Sequence, residues 1–399
     1  MLRRLRAAAP SLATETVMYV SAEPRTNAFS MGEGTFEVLV GLISRCETEA
    51  VLAFVMCHEL AHLLYDHSHR NQQAHEASFN RKLRKELWLT RREDYAKYLS
   101  RMRTAEANFS KHRRDHEFEA DSMGLRLLSG IPYNTGDALA AMTMLEQADE
   151  LHYKQLIDFK RLFSHPEHAV EDDWLAYSVD SRWYMDFSLP DSLRTHPDCA
   201  VRRDALAARP ELAAGASGSS FVGGEEAFRY HRALAEFEMI ETYFRYRAFG
   251  LSLFWSLLLD RYPQNAWLNA RAAQSLYYLH LYQQEHNLEQ VLVLPDQRYD
   301  ENYNRFLTFF NDLRLSQLAR LAYGFADARG AALGSDEEFL YGWVQCSSLL
   351  PDKGTHEKLK THYLKQFPTG RYAAQVRAGA PFRPLPGDGP DQAPKPKKK

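Results

Sequence analysis

The sequence predicts a mainly α fold of the α+β type: a small sheet near the N-terminus, a set of helices, and a second helical region beyond a joint. Three observations carry this. Residues 16–21 (Thr-Val-Met-Tyr-Val-Ser) and 35–40 (Thr-Phe-Glu-Val-Leu-Val) are short β-branched and aromatic runs, which favour strands. From about Ser44 the pattern turns helical. Residues 209–225 are rich in Gly, Ala and Ser, and the helical pattern of 226–378 begins only after them.

Taken in order, the chain opens on a basic stretch, Met1 to Arg6, followed by a short apolar run broken by Pro10. That is too weak for the apolar region of an export signal. The two strands bracket a turn region with Asn27, Gly32 and Gly34. A helix is expected over about 44–67, with Ser44 and Glu47 spaced as a capping box. Residues 71–114 hold many Lys and Arg and no Pro or Gly, which suits long solvated helices. Another helix is expected over about 105–129, stopped by Gly130 and Pro132. Residues 211–225 read as a linker and 379–399 as a disordered Pro, Gly and Lys-rich tail. Within 226–378, Tyr262-Pro263 before Trp267 and Phe367-Pro368 before Tyr372 end two helices alike. This fits a tetratricopeptide-like array or a plain helical bundle.

Composition excludes several classes. The chain has 399 residues, with 49 basic against 52 acidic side chains and a net charge of -3. No overall basic field exists to bind a polyanion, so no nucleic-acid partner is expected. The four cysteines form no CxxC pair, which argues against a cysteine zinc ribbon or a disulfide scaffold. The most apolar stretch, Ala50 to Tyr65, carries His58, Glu59 and His62 and reads as a buried helix, not a membrane span. The expectation is a soluble, cytoplasmic protein. An in-frame apolar segment upstream of Met1 would move that expectation to the periplasm.

The most informative residues are His58-Glu59-Leu60-Ala61-His62. On a helix, positions i and i+4 share a face, so the two imidazoles can meet one zinc ion. Glu59 sits one residue round. It is placed to take a proton from water that zinc makes acidic, not to ligate. The flanking Val51, Leu52, Phe54, Val55, Leu63 and Leu64 bury the helix, and buried histidines and a carboxylate are costly without a partner. A catalytic zinc needs a third protein ligand. The metzincin extension fails, because Tyr65 and Ser68 stand where it needs Gly and His. Thermolysin-like and alanyl-aminopeptidase-like spacings put Lys82 and Arg81 where a Glu is required. The best remaining candidate is Glu117 in His116-Glu117-Phe118-Glu119-Ala120-Asp121. Asp121 is its i+4 neighbour and can accept the free ring N–H of a ligand histidine. Glu119 lies elsewhere on the wheel, with Met123 as its i+4 partner.

Together the HExxH helix and the ExEAD helix with Gly124 resemble the M48 peptidases, the family of the CAAX prenyl proteases, HtpX and the BepA-like proteins. Asn27-Ala28-Phe29 before a Gly-containing turn, and Thr195-His196-Pro197 with Arg202, extend the likeness over about residues 5–210. The resemblance implies a gluzincin-type peptidase domain over 1–210 with one zinc per chain. It implies His58, His62 and Glu117 as ligands, Glu59 as general base and Asp121 behind the ligands. His196 would lie near the metal, either as a fourth ligand of a closed state or as a stabiliser of the tetrahedral intermediate. A polypeptide substrate would add as a strand beside residues 35–40, with Asn27, Phe36, Val38 and Arg202 forming the substrate side. The helical region after the peptidase domain is similar to the BepA-like branch and could hold a protein partner.

Other residues have simpler readings. Cys57 suits a small buried hydrophobe better than a redox handle. His67 and His69 suit a polar helix end better than extra ligation. His165, in Ser-His-Pro-Glu, lacks the trailing arginine that accompanies His196. The rival reading from another class is a non-proteolytic scaffold with a structural zinc; it gives no reason for Glu59 to stand beside intact ligands.

Overall fold

A computed structural model describes residues 1–10, 17–30, 35–78, 114–149, 156–167, 170–175, 199–213, 215–296 and 299–382. These residues fall into two compact units. The first spans Met1–Glu150 and Ser188–Ala235; the second spans Leu151–Phe187 and Glu236–Lys399.

The first unit begins with α1 (Leu2–Ala8) and a sheet of β1 (Val17–Ser21), β2 (Ala28–Ser30) and β3 (Thr35–Leu39). Strand order is β1-β3-β2, parallel between β1 and β3 and antiparallel between β2 and β3. Residues 35–39 are therefore the middle strand, flanked on both sides. Phe36 and Val38, at 1% and 2% exposure, point into the core. This corrects the expectation that substrate adds beside them: the strand has no open edge, and neither side chain reaches a surface. The edges are β1 and β2, and of these β2 packs on α3.

The helix expected over 44–67 is broken into α2 (Val40–Arg45), α3 (Glu49–Leu64) and α4 (His67–Ser78). The break moves the cap. Thr48, not Ser44, caps α3, its Oγ1 accepting from the Val51 N–H at 3.2 Å. Ser44 lies inside α2 and donates to the Gly41 carbonyl. Buried residues surround α3 because both histidine-bearing and aliphatic faces have neighbours: the sheet, α1 and α6 (Asp137–Asp149). The Glu117–Asp121 segment lies on α5, whose described part is 114–129. Its crossing with α3 is close. A Cβ at Gly124 would meet the His58 Cα and N at 3.0 Å, so glycine lets the two backbones approach. The long charged segment lies largely outside the described residues, which resume at 114.

The Gly and Ser-rich segment is bound along its length to this unit. Ser219 pairs with Tyr133, the Ala50 N–H donates to the Ser220 carbonyl, and the Gly223 N–H donates to Glu49 at 2.6 Å. Gly218 has φ +97° and its missing Cβ leaves room for the Tyr133 carbonyl. After α7 (Phe159–Leu162) in the second unit, α8 (Cys199–Ala207) and α9 (Pro210–Ala213) return to the first, and α8 packs on α6.

The second unit takes the later part of α10 (Glu225–Arg245), then α11 (Phe249–Leu258), α12 (Ala266–Gln284), α13 (Glu301–Asp312), α14 (Leu315–Leu333), α15 (Glu337–Ser347), α16 (Lys353–Gln366) and α17 (Ala373–Ala378). Residues 268–280 of α12 are buried throughout, against α11, α14 and α15. Arg271 on this helix is held by Glu241 and Glu338, both at 2.6 Å, which offsets part of the cost of its buried charge. Phe159 of α7 stacks on Phe309 at 4.2 Å. Among the described residues no helix is long and apolar enough to cross a membrane.

Candidate metal centre

The α3 and α5 helices bring three ligand atoms together. His58 Nε2 lies 3.0 Å from His62 Nε2; His58 Nε2 is 3.5 Å from Glu117 Oε2 and His62 Nε2 is 3.5 Å from the other oxygen, Oε1. Bonds of about 2.0–2.1 Å in a tetrahedral zinc site imply ligand–ligand edges of about 3.3–3.4 Å. The ring–ring spacing and the spacing from each ring to one Glu117 oxygen lie within a few tenths of an ångström of that value, so the donor set fits a zinc ion.

A layer of polar partners fixes these ligands. Asp121 Oδ1 lies 2.9 Å from His58 Nδ1. Arg202 grips Asp121 with two hydrogen bonds of 2.7 and 2.8 Å and reaches Glu117 Oε2 at 3.0 Å. Arg202 is only 2% exposed. It was expected on the substrate side and instead lies behind the ligands, because two buried carboxylates need a counter-charge more than a substrate carbonyl needs a donor.

The electrostatics favour a cation. Three carboxylates (Glu59, Glu117, Asp121) face one guanidinium. Burial disfavours charge on His58, but Asp121 and Glu117 overcome it and raise its pKa to about 10. The same carboxylates would favour a metal cation on the His58 ring. His62 is held down at about 3 by burial and by the nearby charge of His58, so its ring stays neutral and able to ligate. Burial would raise Glu117, but the hydrogen bond and charge of His58, with Arg202 behind, keep it ionised.

Glu59 is tied to the edge strand β2. Its Oε2 accepts from the Ser30 N–H of β2 at 2.9 Å. Burial, with a further contribution from the Glu117 charge, lifts its pKa to about 7 against the opposing pull of His58 and Ser30. Asn27 stands at the start of β2, its Oδ1 accepting from the Ala28 N–H and its carbonyl from the Leu39 N–H. Cys57 is fully buried and burial raises its thiol far above the usual range. His196 lies outside the described residues. His165 belongs to the second unit, where its Nε2 contacts Asp327 at 3.0 Å.

Sequence reasoning missed three features: the Ser30 backbone donor, the inward position of Arg202, and a second group beside the first. His67, His116 and Glu119 place one ligand-type atom each within 4.8 Å of one another. His67 is five residues from His62, which is no helical spacing. A turn through Tyr65 and Asp66, the latter at φ 49°, swings it back toward the motif.

A short sheet laid on an HExxH helix, and a carboxylate-bearing helix crossed over it, define a metallopeptidase-type domain. The family model of Peptidase family M48 matches residues 1–210, more than half of the chain, and the chain belongs to that family of zinc-dependent metallopeptidases. No curated protein matches the chain.

Proposed function

We propose that the protein is a zinc metalloendopeptidase with one catalytic zinc, held by His58, His62 and Glu117, and with Glu59 as general base. The observation that carries this is the convergence of His58 Nε2, His62 Nε2 and the Glu117 carboxylate, 3.0 Å between the rings and 3.5 Å from each ring to one carboxylate oxygen, with Glu59 held nearby by the edge strand. When bound, zinc polarises the scissile carbonyl and makes water acidic enough to yield a nucleophile near neutral pH. Glu59 takes the proton and returns it to the leaving amine. Burial raises the Glu59 pKa above the ordinary carboxylate value, which favours returning the proton as well as taking it. Asp121 and Arg202 hold the His58 ring and the Glu117 carboxylate in place.

An extended polypeptide substrate adds to the open edge of β2, antiparallel pairing on its other side being taken by β3. Asn27 shapes the start of that edge. The peptidase function belongs to residues 1–210, although 151–187 of these cluster with the second unit, and the helices of 226–378 hold a protein partner. His196, as the resemblance implies, serves either as a fourth ligand of a closed state or as a stabiliser of the tetrahedral intermediate. Cleavage of unfolded casein, with and without 1,10-phenanthroline, tests the activity. The expected result is hydrolysis that the chelator abolishes and zinc restores; hydrolysis indifferent to the chelator would exclude a metal mechanism.

A further inference from the structure

We infer that His67 is a positioning residue for the zinc centre: it accepts the outer N–H of the ligand His62 and passes that restraint to Glu119. The inference rests on the zinc reading above. Each ligand imidazole needs its second nitrogen fixed if the ring is to present the first one correctly. For His58 the partner is Asp121, held by Arg202. For His62, among the described residues, no carboxylate takes this place. Its Nδ1 lies 2.7 Å from Nδ1 of His67.

Two ring nitrogens at that distance share one proton, and a metal decides where it sits. With zinc on His62 Nε2, the neutral ring carries its proton on Nδ1 and donates to His67 Nδ1. His67 then keeps its own proton on Nε2, which lies 3.0 Å from Glu119 Oε2. The same oxygen accepts from Arg70 at 2.8 Å. Every donor in the row His62, His67, Glu119 points outward from the metal, and the row ends on a guanidinium, as the His58 row does. The His67 ring is 1% exposed and stacks on His116 at 4.3 Å and 8°. His116 in turn places Nδ1 2.7 Å from Asn71 Oδ1. The three acidic residues of the Glu117-Phe118-Glu119-Ala120-Asp121 segment thereby act at three different places. Glu117 faces the metal, Asp121 holds His58, and Glu119 holds His67.

The same proton count separates this role from a second metal site at His67, His116 and Glu119. For His67 Nε2 to ligate, its proton must move to Nδ1 and be donated to His62 Nδ1. The His62 proton would then sit on Nε2, where it blocks the catalytic zinc. With neutral rings the two sites exclude each other, and Arg70 already occupies Glu119.

The test is zinc affinity of the full chain, measured by competition with a chromogenic chelator, together with zinc stoichiometry. His67→Leu removes the acceptor and should weaken zinc binding by roughly 10–100-fold. His67→Asn sets an amide oxygen near the place of Nδ1 and should return affinity to within about threefold of wild type, since one acceptor replaces another. Wild type should hold one zinc. Equal affinity in wild type and His67→Leu would overturn the inference while leaving the zinc reading intact. His67→Asn binding as weakly as His67→Leu would reduce His67 to a packing role, and a second zinc equivalent lost in His67→Leu would make it a ligand; both outcomes overturn it. Wild type that binds no zinc would overturn the zinc reading first, and this inference with it.

Discussion

Replacing Arg202 with Met should loosen the zinc site from behind. The side chain makes two hydrogen bonds to Asp121 and one ion pair to Glu117, and Arg202 and Asp121 are almost wholly enclosed. Methionine keeps much of the aliphatic packing. What is lost is the charge, which leaves two carboxylates facing each other across His58. Breaking one partner out of a buried ion pair costs about 3–5 kcal/mol. The full cost is expected here, because both acids depend on the same guanidinium. Two compact units make a single melting curve ambiguous, so native-state hydrogen exchange of the α5 amides is the better measure. Asp121 has its pKa lowered by Arg202 and His58 against the opposing effect of burial. Its contribution is therefore present above the unfolded carboxyl pKa of about 3.9 and is lost as pH falls through the lower folded value. The difference between wild type and Arg202→Met should stay level from about pH 5 to 8 and shrink below about pH 4. In an Asp121→Asn background the same change should cost less, with a coupling of about 0.5–3 kcal/mol. A loss under about 1 kcal/mol in the single variant, with no coupling to Asp121, would refute the view that Arg202 is the counter-charge of the site.

Three further outcomes are expected. By metal analysis, Glu117→Ala should lose most zinc, and Asp121→Asn should bind it roughly 10–100-fold more weakly; a Glu119→Ala variant that loses more than Glu117→Ala would show that the wrong carboxylate is assigned. His196→Ala should raise basal proteolysis if His196 closes the site as a fourth ligand. It should cost about 2.7–4 kcal/mol of transition-state stabilisation if it holds the oxyanion; an unchanged rate at equal zinc loading excludes both. In the second unit, burial holds His280 at a pKa of about 4. A native ring that stays neutral while the unfolded one protonates destabilises the fold as pH drops from about 6.5 to about 4, by about 1–3 kcal/mol; His280→Leu should flatten that dependence in hydrogen exchange of α12.

The parts of the site that were legible in the sequence are those set by helical spacing. His58 and His62 lie four apart, as do Glu117 and Asp121, and a helix converts that spacing into a shared face. What stayed hidden depends on contacts distant in sequence or on single turns. β2 is three residues, too short to signal a strand, yet its presence turns residues 35–39 from an edge into the sheet centre. Arg202 is 81 residues from Asp121, and only the fold of α8 reveals that it points inward. His67 escapes periodicity because the Tyr65–Asp66 turn resets the helix between it and His62. Likewise Ser44 and Glu47 have capping-box spacing, but the chain bends at Cys46 and the cap passes to Thr48.

The central claim is that Glu59 moves the proton while His58, His62 and Glu117 hold the metal. Its most direct test compares zinc content and casein hydrolysis of wild type and Glu59→Gln in one preparation. Glutamine keeps the size of the side chain and cannot take a proton. The account predicts equal zinc in both and hydrolysis reduced by about 10²–10⁴-fold in the variant. Hydrolysis by Glu59→Gln within a few-fold of wild type, at equal zinc, would contradict it.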